Sequence, residues 1–304
     1  MDKEVVISPI FYMGNKRKLV QKGLTNFFPS QIDHYYEPFA GSAIVAMNTP
    51  AKRYYINDID SHLLELYDLF RTNKAEEIIE AVNSRIDLYG LPRERTKRNV
   101  FHDKEKIEQY KAAYCKLRDR YNNEPTGIDL YTLTLFSFSQ QFRFNSKGKY
   151  NMPFGNDCFS EKNEQYIYNG CEFFGKDNVQ FENCSFDVFF FDSDILSQTN
   201  TFVYLDPPYL NTTAVYNESR GSDYTWSEKW EQKLRDLCNQ FTKYDVRFAM
   251  SNVFANKDFI NTSLQKWCED NNYRVHHFNH AYTACGKGNA ATDEVLIMNY
   301  GGVD

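Results

Sequence analysis

The residues with the clearest chemical purpose are Asp206-Pro207-Pro208-Tyr209, which follow the apolar run Thr201–Leu205. A double proline cannot continue a central strand, and it fixes the backbone in a stiff corner. A rigid corner presenting a carboxylate and a ring suits catalysis, where loose placement costs rate. The matching reaction is attack by an exocyclic aryl amine, a poor nucleophile because its lone pair is delocalised. Asp206 accepts one amine N–H and the Pro207 carbonyl the other, drawing the nitrogen toward a tetrahedral shape. The carboxylate stabilises the developing positive charge. Tyr209 stacks on the base, and a methyl group transfers in line from a sulfonium. Two further acidic residues end apolar runs: Glu37, after His34-Tyr-Tyr, and Asp58, after Arg53-Tyr-Tyr-Ile-Asn. If these runs are neighbouring strands, all three carboxylates converge at one sheet edge, where α/β proteins bind ligands.

The elements that must position these groups are short β-rich runs ending in polar or turn residues: His34–Glu37, Arg53–Ile56, Val179–Asn183, Phe202–Leu205, Val246–Met250, Tyr273–Phe278 and Val295–Tyr300. Gly41–Asn48 reads as a helix opening. Ser227–Phe241 has helical apolar spacing at Trp230, Leu234, Leu237 and Phe241. This alternation predicts an α/β fold with an open, mostly parallel sheet. From about Ser61 to Gly175 the chain is richer in helix formers, with helical spacing over Leu63–Phe70, Glu76–Ile86 and Ile107–Leu117. That region is expected to be a helical insertion. The catalytic domain would then comprise 1–60 and 176–304, and the insertion 61–175.

Gly41 permits close backbone approach to a ligand, but Ala43 stands where a second glycine would sit, so a phosphate loop is a weak reading. Asp58 lies about twenty residues past the first strand, where a carboxylate accepts ribose hydroxyls or caps the helix starting near His62.

The net charge of −6 argues against a nucleic-acid partner unless the charge is segregated. It is: Arg93 to Arg120 holds ten Lys/Arg against five Asp/Glu, and Arg143, Lys147 and Lys149 follow. Seven cysteines without a CxxC exclude a zinc pattern and a disulfide framework. No metal is assigned; His276, His277 and His280 show no spaced ligand partners. No apolar run approaches the length of a membrane helix, and no secretory signal is visible, so a cytoplasmic protein is expected.

Taken with their flanking segments, these residues resemble the Dam-type, D12 class of DNA adenine-N6 methyltransferases over nearly the whole chain. Tyr12-Met-Gly14-Asn-Lys16 is similar to the N-terminal cofactor motif and Glu37-Pro-Phe39-Ala-Gly41 to the cofactor turn. Asn57-Asp58-Ile59-Asp60 resembles the ribose segment. Phe181 to Phe186, including Ser185, resembles the segment that holds the cofactor adenine. Phe248–Asn252 and Thr292–Ile297 are similar to the two late strands. Gln141 to Gly155 resembles a DNA-contacting hairpin, with Gly148 in the turn and Arg143, Asn145, Lys147, Lys149 and Asn151 at the DNA. The resemblance implies a Rossmann-like sheet, S-adenosylmethionine as methyl donor, and duplex DNA as partner. It also implies a flipped adenine as target, in a prokaryotic or phage-like setting such as restriction-modification, with a monomer favoured. Cofactor residues would be Tyr12, Gly14, Lys16, Glu37, Phe39, Gly41, Asp58, Ile59, Ser185, Phe186 and Asp206; the catalytic residues are Asp206 to Tyr209. The polar loops Leu210–Ser227 and Thr283–Ala291 are expected beside the base.

Other readings are cytosine-N4 methylation, an RNA or nucleotide substrate, a small-molecule methyltransferase, and a non-catalytic DNA-binding protein on the same fold. Cytosine-N4 enzymes more often carry Ser where Asp206 stands. The retained Asp and Tyr speak against a non-catalytic chain, and the basic insertion against a small substrate.

Overall fold

A computed structural model describes residues 4–95, 104–155, 157–191, 194–210, 226–256, 259–281 and 291–301. The strands are β1 (His34–Glu37), β2 (Arg53–Asn57), β3 (Val179–Glu182), β4 (Thr201–Leu205), β5 (Arg247–Asn256), β6 (Phe259–Ile260), β7 (Arg274–Ala281) and β8 (Ala291–Met298). They form one sheet in the order β3-β2-β1-β4-β5-β8-β7, with β6 paired only to β5. The strands β3, β2, β1, β4 and β5 run parallel. β8 enters antiparallel between β5 and β7. The fold is therefore mixed α/β around a mostly parallel sheet. Chain order reverses between β1 and β4, making that crevice the topological switch point where open sheets bind ligands.

Alternation along the strands divides the core into two apolar layers. Tyr35 and Phe202 face one layer, with α1 (Arg17–Gln21), α2 (Ile44–Met47), α3 (Ser61–Thr72) and α7 (Glu161–Phe174). Tyr36 and Val203 face the other, with α8 (Phe186–Phe191), α9 (Glu228–Lys243) and α10 (Thr262–Asp270). Helices α4 (Ala75–Tyr89), α5 (Lys104–Asn123) and α6 (Gly127–Phe136) continue the first layer, so its core runs unbroken past residues 61 and 175. Asp129 in the first turn of α6 is fully buried and joins these helices: its carboxylate meets Arg85 Nε at 2.7 Å and Arg120 Nε at 3.4 Å.

Several expectations are corrected. The helix expected over Gly41–Asn48 is only α2, because Gly41 (φ 51°) and Ala43 (φ 54°) are left-handed. For Ala43, without glycine's freedom, that conformation costs roughly 1–2 kcal/mol. β5 runs past Met250 to Asn256, carrying the buried polar residues Ser251 and Asn252, and β6 was not anticipated. His277 does have a carboxylate partner, its Nδ1 lying 2.8 Å from Asp293 Oδ1 across the β7–β8 pair.

Candidate active site

The carboxyl ends of β2, β1 and β4 lie side by side, so Asp58, Glu37 and Asp206 do share one edge. At the switch point Asp206 is met by Lys16, whose Nζ lies 2.8 Å from Asp206 Oδ1. Lys16 is only 6% exposed, and its ammonium also donates to the Gly14 carbonyl at 3.0 Å. Gly14 itself has φ 74°, which lets the chain fold back beneath that ammonium. The Tyr209 hydroxyl donates to Asp206 Oδ1 at 3.2 Å, and Lys16 Nζ stands 5.2 Å from the Tyr209 ring centre. Pro207 is buried and Pro208 half-buried, anchoring the corner between them. Burial pushes the Asp206 carboxyl above its ordinary pKa; Lys16, then Tyr209, pull it part of the way back.

Glu37 is almost wholly buried and is held from inside the protein. Its Oε2 accepts from the Tyr35 hydroxyl at 2.9 Å and from the Ala46 amide at 3.1 Å. Burial drives its pKa well above the usual carboxylate value; the Tyr35 bond opposes, and Asp206 adds to the rise. Its present contacts therefore order the turn into α2.

Asp58 is half-buried and organises two turns: Oδ2 accepts from the Gly41 amide and Oδ1 from the Asp60 amide, each at 2.9 Å. It does not cap the following helix. Asp60 does, accepting from His62 N at 3.1 Å. Ile59 beside it is half-buried. A Cβ on Gly41 would sit 3.1 Å from the Tyr12 ring, so glycine is what permits this turn to close against Tyr12. The Tyr12 hydroxyl donates to Asp60 Oδ2 at 3.2 Å. Phe39 and Phe186 lie 5.4 Å apart, with Trp226 edge-on to Phe39 at 5.8 Å. Ser185 precedes α8 and its carbonyl accepts from the Val188 and Phe189 amides. An open glycine turn, a partly exposed carboxylate, flat aromatic faces and an acidic centre fit a nucleoside that carries a cationic group.

The second constellation is an arm over residues 137–155. Its bridges are Ser137 to Phe154 and Phe144 to Tyr150. The turn is tight: Asn145 Oδ1 accepts from the Lys147 amide at 2.9 Å and the Lys149 amide at 3.1 Å, while Gly148 has φ 67°. Arg143 Nε donates to Asn151 Oδ1 at 3.0 Å, and the Lys149 ammonium reaches the Asn122 carbonyl. Arg143, Lys147 and Lys149 are exposed. Two rings root the arm beside the site. Phe142 packs on Tyr12 at 5.4 Å, and Phe144 stacks on His62 at 3.5 Å. The loops expected beside the base lie largely outside the described residues, at 211–225 and 282–290.

One residue at the centre was not singled out from sequence. Glu294 on β8 is 5% exposed, with Oε1 3.4 Å from the Tyr209 hydroxyl and 4.0 Å from Lys16 Nζ. Its carboxylate, in a central strand of apolar neighbours Val295 to Met298, was the available signal.

Residues 12–283 match the family model described as D12 class N6 adenine-specific DNA methyltransferase. The chain belongs to this family. The chain is 32% identical to Modification methylase StsI of Streptococcus sanguinis, over 98% of this chain and 43% of that protein. It is 34% identical to Type II methyltransferase M.FokI of Planomicrobium okeanokoites, over 96% of this chain and 43% of that protein. A DNA adenine methylase of Vibrio cholerae is 27% identical over 86% of this chain and 85% of its own length. The chain thus spans less than half the length of the first two relatives. Among the described residues, no helix is long and apolar enough to cross a membrane.

Proposed function

We propose that this D12 chain transfers a methyl group from S-adenosylmethionine to N6 of an adenine flipped out of duplex DNA. The observation that carries the reading is the Lys16–Asp206–Tyr209 cluster at the switch point between β1 and β4, with Lys16 buried and the other two half-buried. The donor supplies an electrophilic methyl on a sulfonium. Asp206 and the Pro207 carbonyl accept hydrogen bonds from the two amine N–H groups and aim the nitrogen lone pair, and after transfer the methylated nitrogen loses one proton through Asp206 or water. Asp206 also stabilises the charge that develops on nitrogen. The two prolines hold Asp206 and Tyr209 in register, and the Tyr209 ring receives the base face. Flipping costs a few kcal/mol, which stacking offsets in part.

The cofactor is assigned to Tyr12, Gly14, Lys16, Glu37, Phe39, Gly41, Asp58, Ile59, Ser185 and Phe186, with Asp206 at its reactive end. Glu37 acts there by shaping the turn, since its near-complete burial and internal bonds leave it a supporting part. Duplex DNA is assigned to the arm, where Arg143, Lys147 and Lys149 offer exposed cations and Asn145 and Asn151 brace the turn and Arg143. Residues 61–175 then form the target-recognition part, and 1–60 with 176–304 the catalytic part. The names of two relatives, a modification methylase and a type II methyltransferase, favour a modification role.

The test is transfer of labelled methyl groups to duplex DNA, followed by nucleoside analysis. N6-methyladenine is expected from the native chain and none from Asp206→Ala. No transfer by the native chain, equal transfer by the variant, or label in N4-methylcytosine overturns the assignment.

A further inference from the structure

Two hydrogen-bond donors at the centre of the site are shared between two carboxylates. Lys16 Nζ lies 2.8 Å from Asp206 Oδ1 and 4.0 Å from Glu294 Oε1. The Tyr209 hydroxyl lies 3.2 Å from the first oxygen and 3.4 Å from the second. As the structure stands, Asp206 holds the ammonium and has the shorter of the two contacts to the Tyr209 hydroxyl, and an ammonium at that distance offsets much of its negative charge. A carboxylate so engaged is poorly placed to stabilise positive charge growing on an amine nitrogen.

Glu294 is built to relieve this. It sits on β8, a strand paired on both sides, opposite Val253 and Phe278, so its backbone is fixed. Its side chain is buried against the cluster. Burial raises its pKa; Lys16 opposes that rise and Asp206 adds to it. The groups that bear on it are Lys16 from the N-terminal segment, Asp206 and Tyr209 from the end of β4, and the more remote Lys22. A closing of about 1 Å brings Lys16 into hydrogen-bond range of Glu294.

We propose that Glu294 is a positioning residue: it takes over the Lys16 ammonium and the Tyr209 hydroxyl when the substrate amine engages Asp206. The handover leaves the Asp206 charge for the amine and keeps the Tyr209 ring seated. This inference rests on the amine-methylation reading above.

The experiment compares the native chain with Glu294→Gln, Tyr209→Phe and the double variant. Single-turnover transfer from labelled S-adenosylmethionine to an adenine-containing duplex is measured, together with cofactor affinity. Glu294→Gln is expected to slow transfer about tenfold, and the double variant to lose less than the product of the two single losses, because both remove one shared bridge. Cofactor affinity is expected to hold within about twofold. Glu294→Asp, which keeps the charge, is expected to recover part of the rate. An unchanged rate in Glu294→Gln, multiplicative losses, a matching loss of cofactor affinity, or an Asp variant as slow as Gln overturns the proposal. A native chain that methylates no adenine sinks the functional reading instead, so the two failures are distinguishable.

Discussion

Gly155 closes the base of the arm, and adding one methyl group there tests how the arm is held. A Cβ at this position would lie 2.4 Å from the Ser137 carbonyl oxygen, 2.8 Å from its carbon and 3.1 Å from Phe138 N. All three are backbone atoms, so no side-chain rotation relieves the contact. The chains must separate, and two bonds cross the gap: Gly155 N to Phe136 O at 2.7 Å and Phe138 N to Pro153 O at 2.9 Å. Each such bond is worth about 0.5–1.5 kcal/mol net, so Gly155→Ala should cost roughly 1–3 kcal/mol. For a chain of this size that lowers the melting temperature by roughly 2–5 °C. Thermal unfolding of both proteins, alongside duplex binding by fluorescence anisotropy, measures the two effects. A melting temperature within about 1 °C of the native value would refute the steric argument. A clear loss of stability with unchanged duplex affinity would refute the role given to the arm.

Arg143→Ala should weaken binding to all duplexes similarly and reduce the slope of log affinity against log salt by about one; an unchanged slope removes the phosphate contact. Asp129→Ala removes the buried carboxylate shared by the partly exposed Arg85 and Arg120 and should cost about 1.5–3 kcal/mol in urea unfolding, whereas a loss near zero would show that water replaces the carboxylate. For Glu37 the raised pKa means that the native chain binds this proton more tightly than the unfolded chain. Stability therefore falls as pH rises from the ordinary carboxylate value through the raised one. Glu37→Gln, neutral throughout, should gain on the native chain as pH rises and lose that advantage in acid. Unfolding curves across this range check the sign, and a native chain that gains with rising pH contradicts it.

The strands that carry the site were legible because each apolar run ends at a residue unlike it: Glu37 at the last position of β1, Asp58 just past β2, and Asp206 with its prolines just past β4. β5 was foreshortened because Ser251 and Asn252 look like a turn. In the folded chain Ser251 is buried beside the Tyr204 hydroxyl, which lies 2.8 Å from its Oγ. Sequence leaves Asp58 with two alternatives, a ribose partner or the helix cap, since Asp58 and Asp60 offer the same chemistry and only the backbone path gives the cap to Asp60. Glu294 was missed for a topological reason. Periodicity does not show that β8 slots between β5 and β7, and that insertion is what delivers its carboxylate to Lys16.

The two rings beneath the arm also decide which parts of this chain are exchangeable. Phe142 on Tyr12 and Phe144 on His62 weld the arm to the turns that hold Asp58 and Asp60. A graft that replaced the whole of 61–175 would cut through a shared core and discard both rings. A graft confined to 145–149, the tip beyond Phe144, would leave every ring contact standing. Under the proposed assignment of duplex DNA to the arm, these five residues are where tip chemistry can be exchanged while the aromatic root stays in place as the socket.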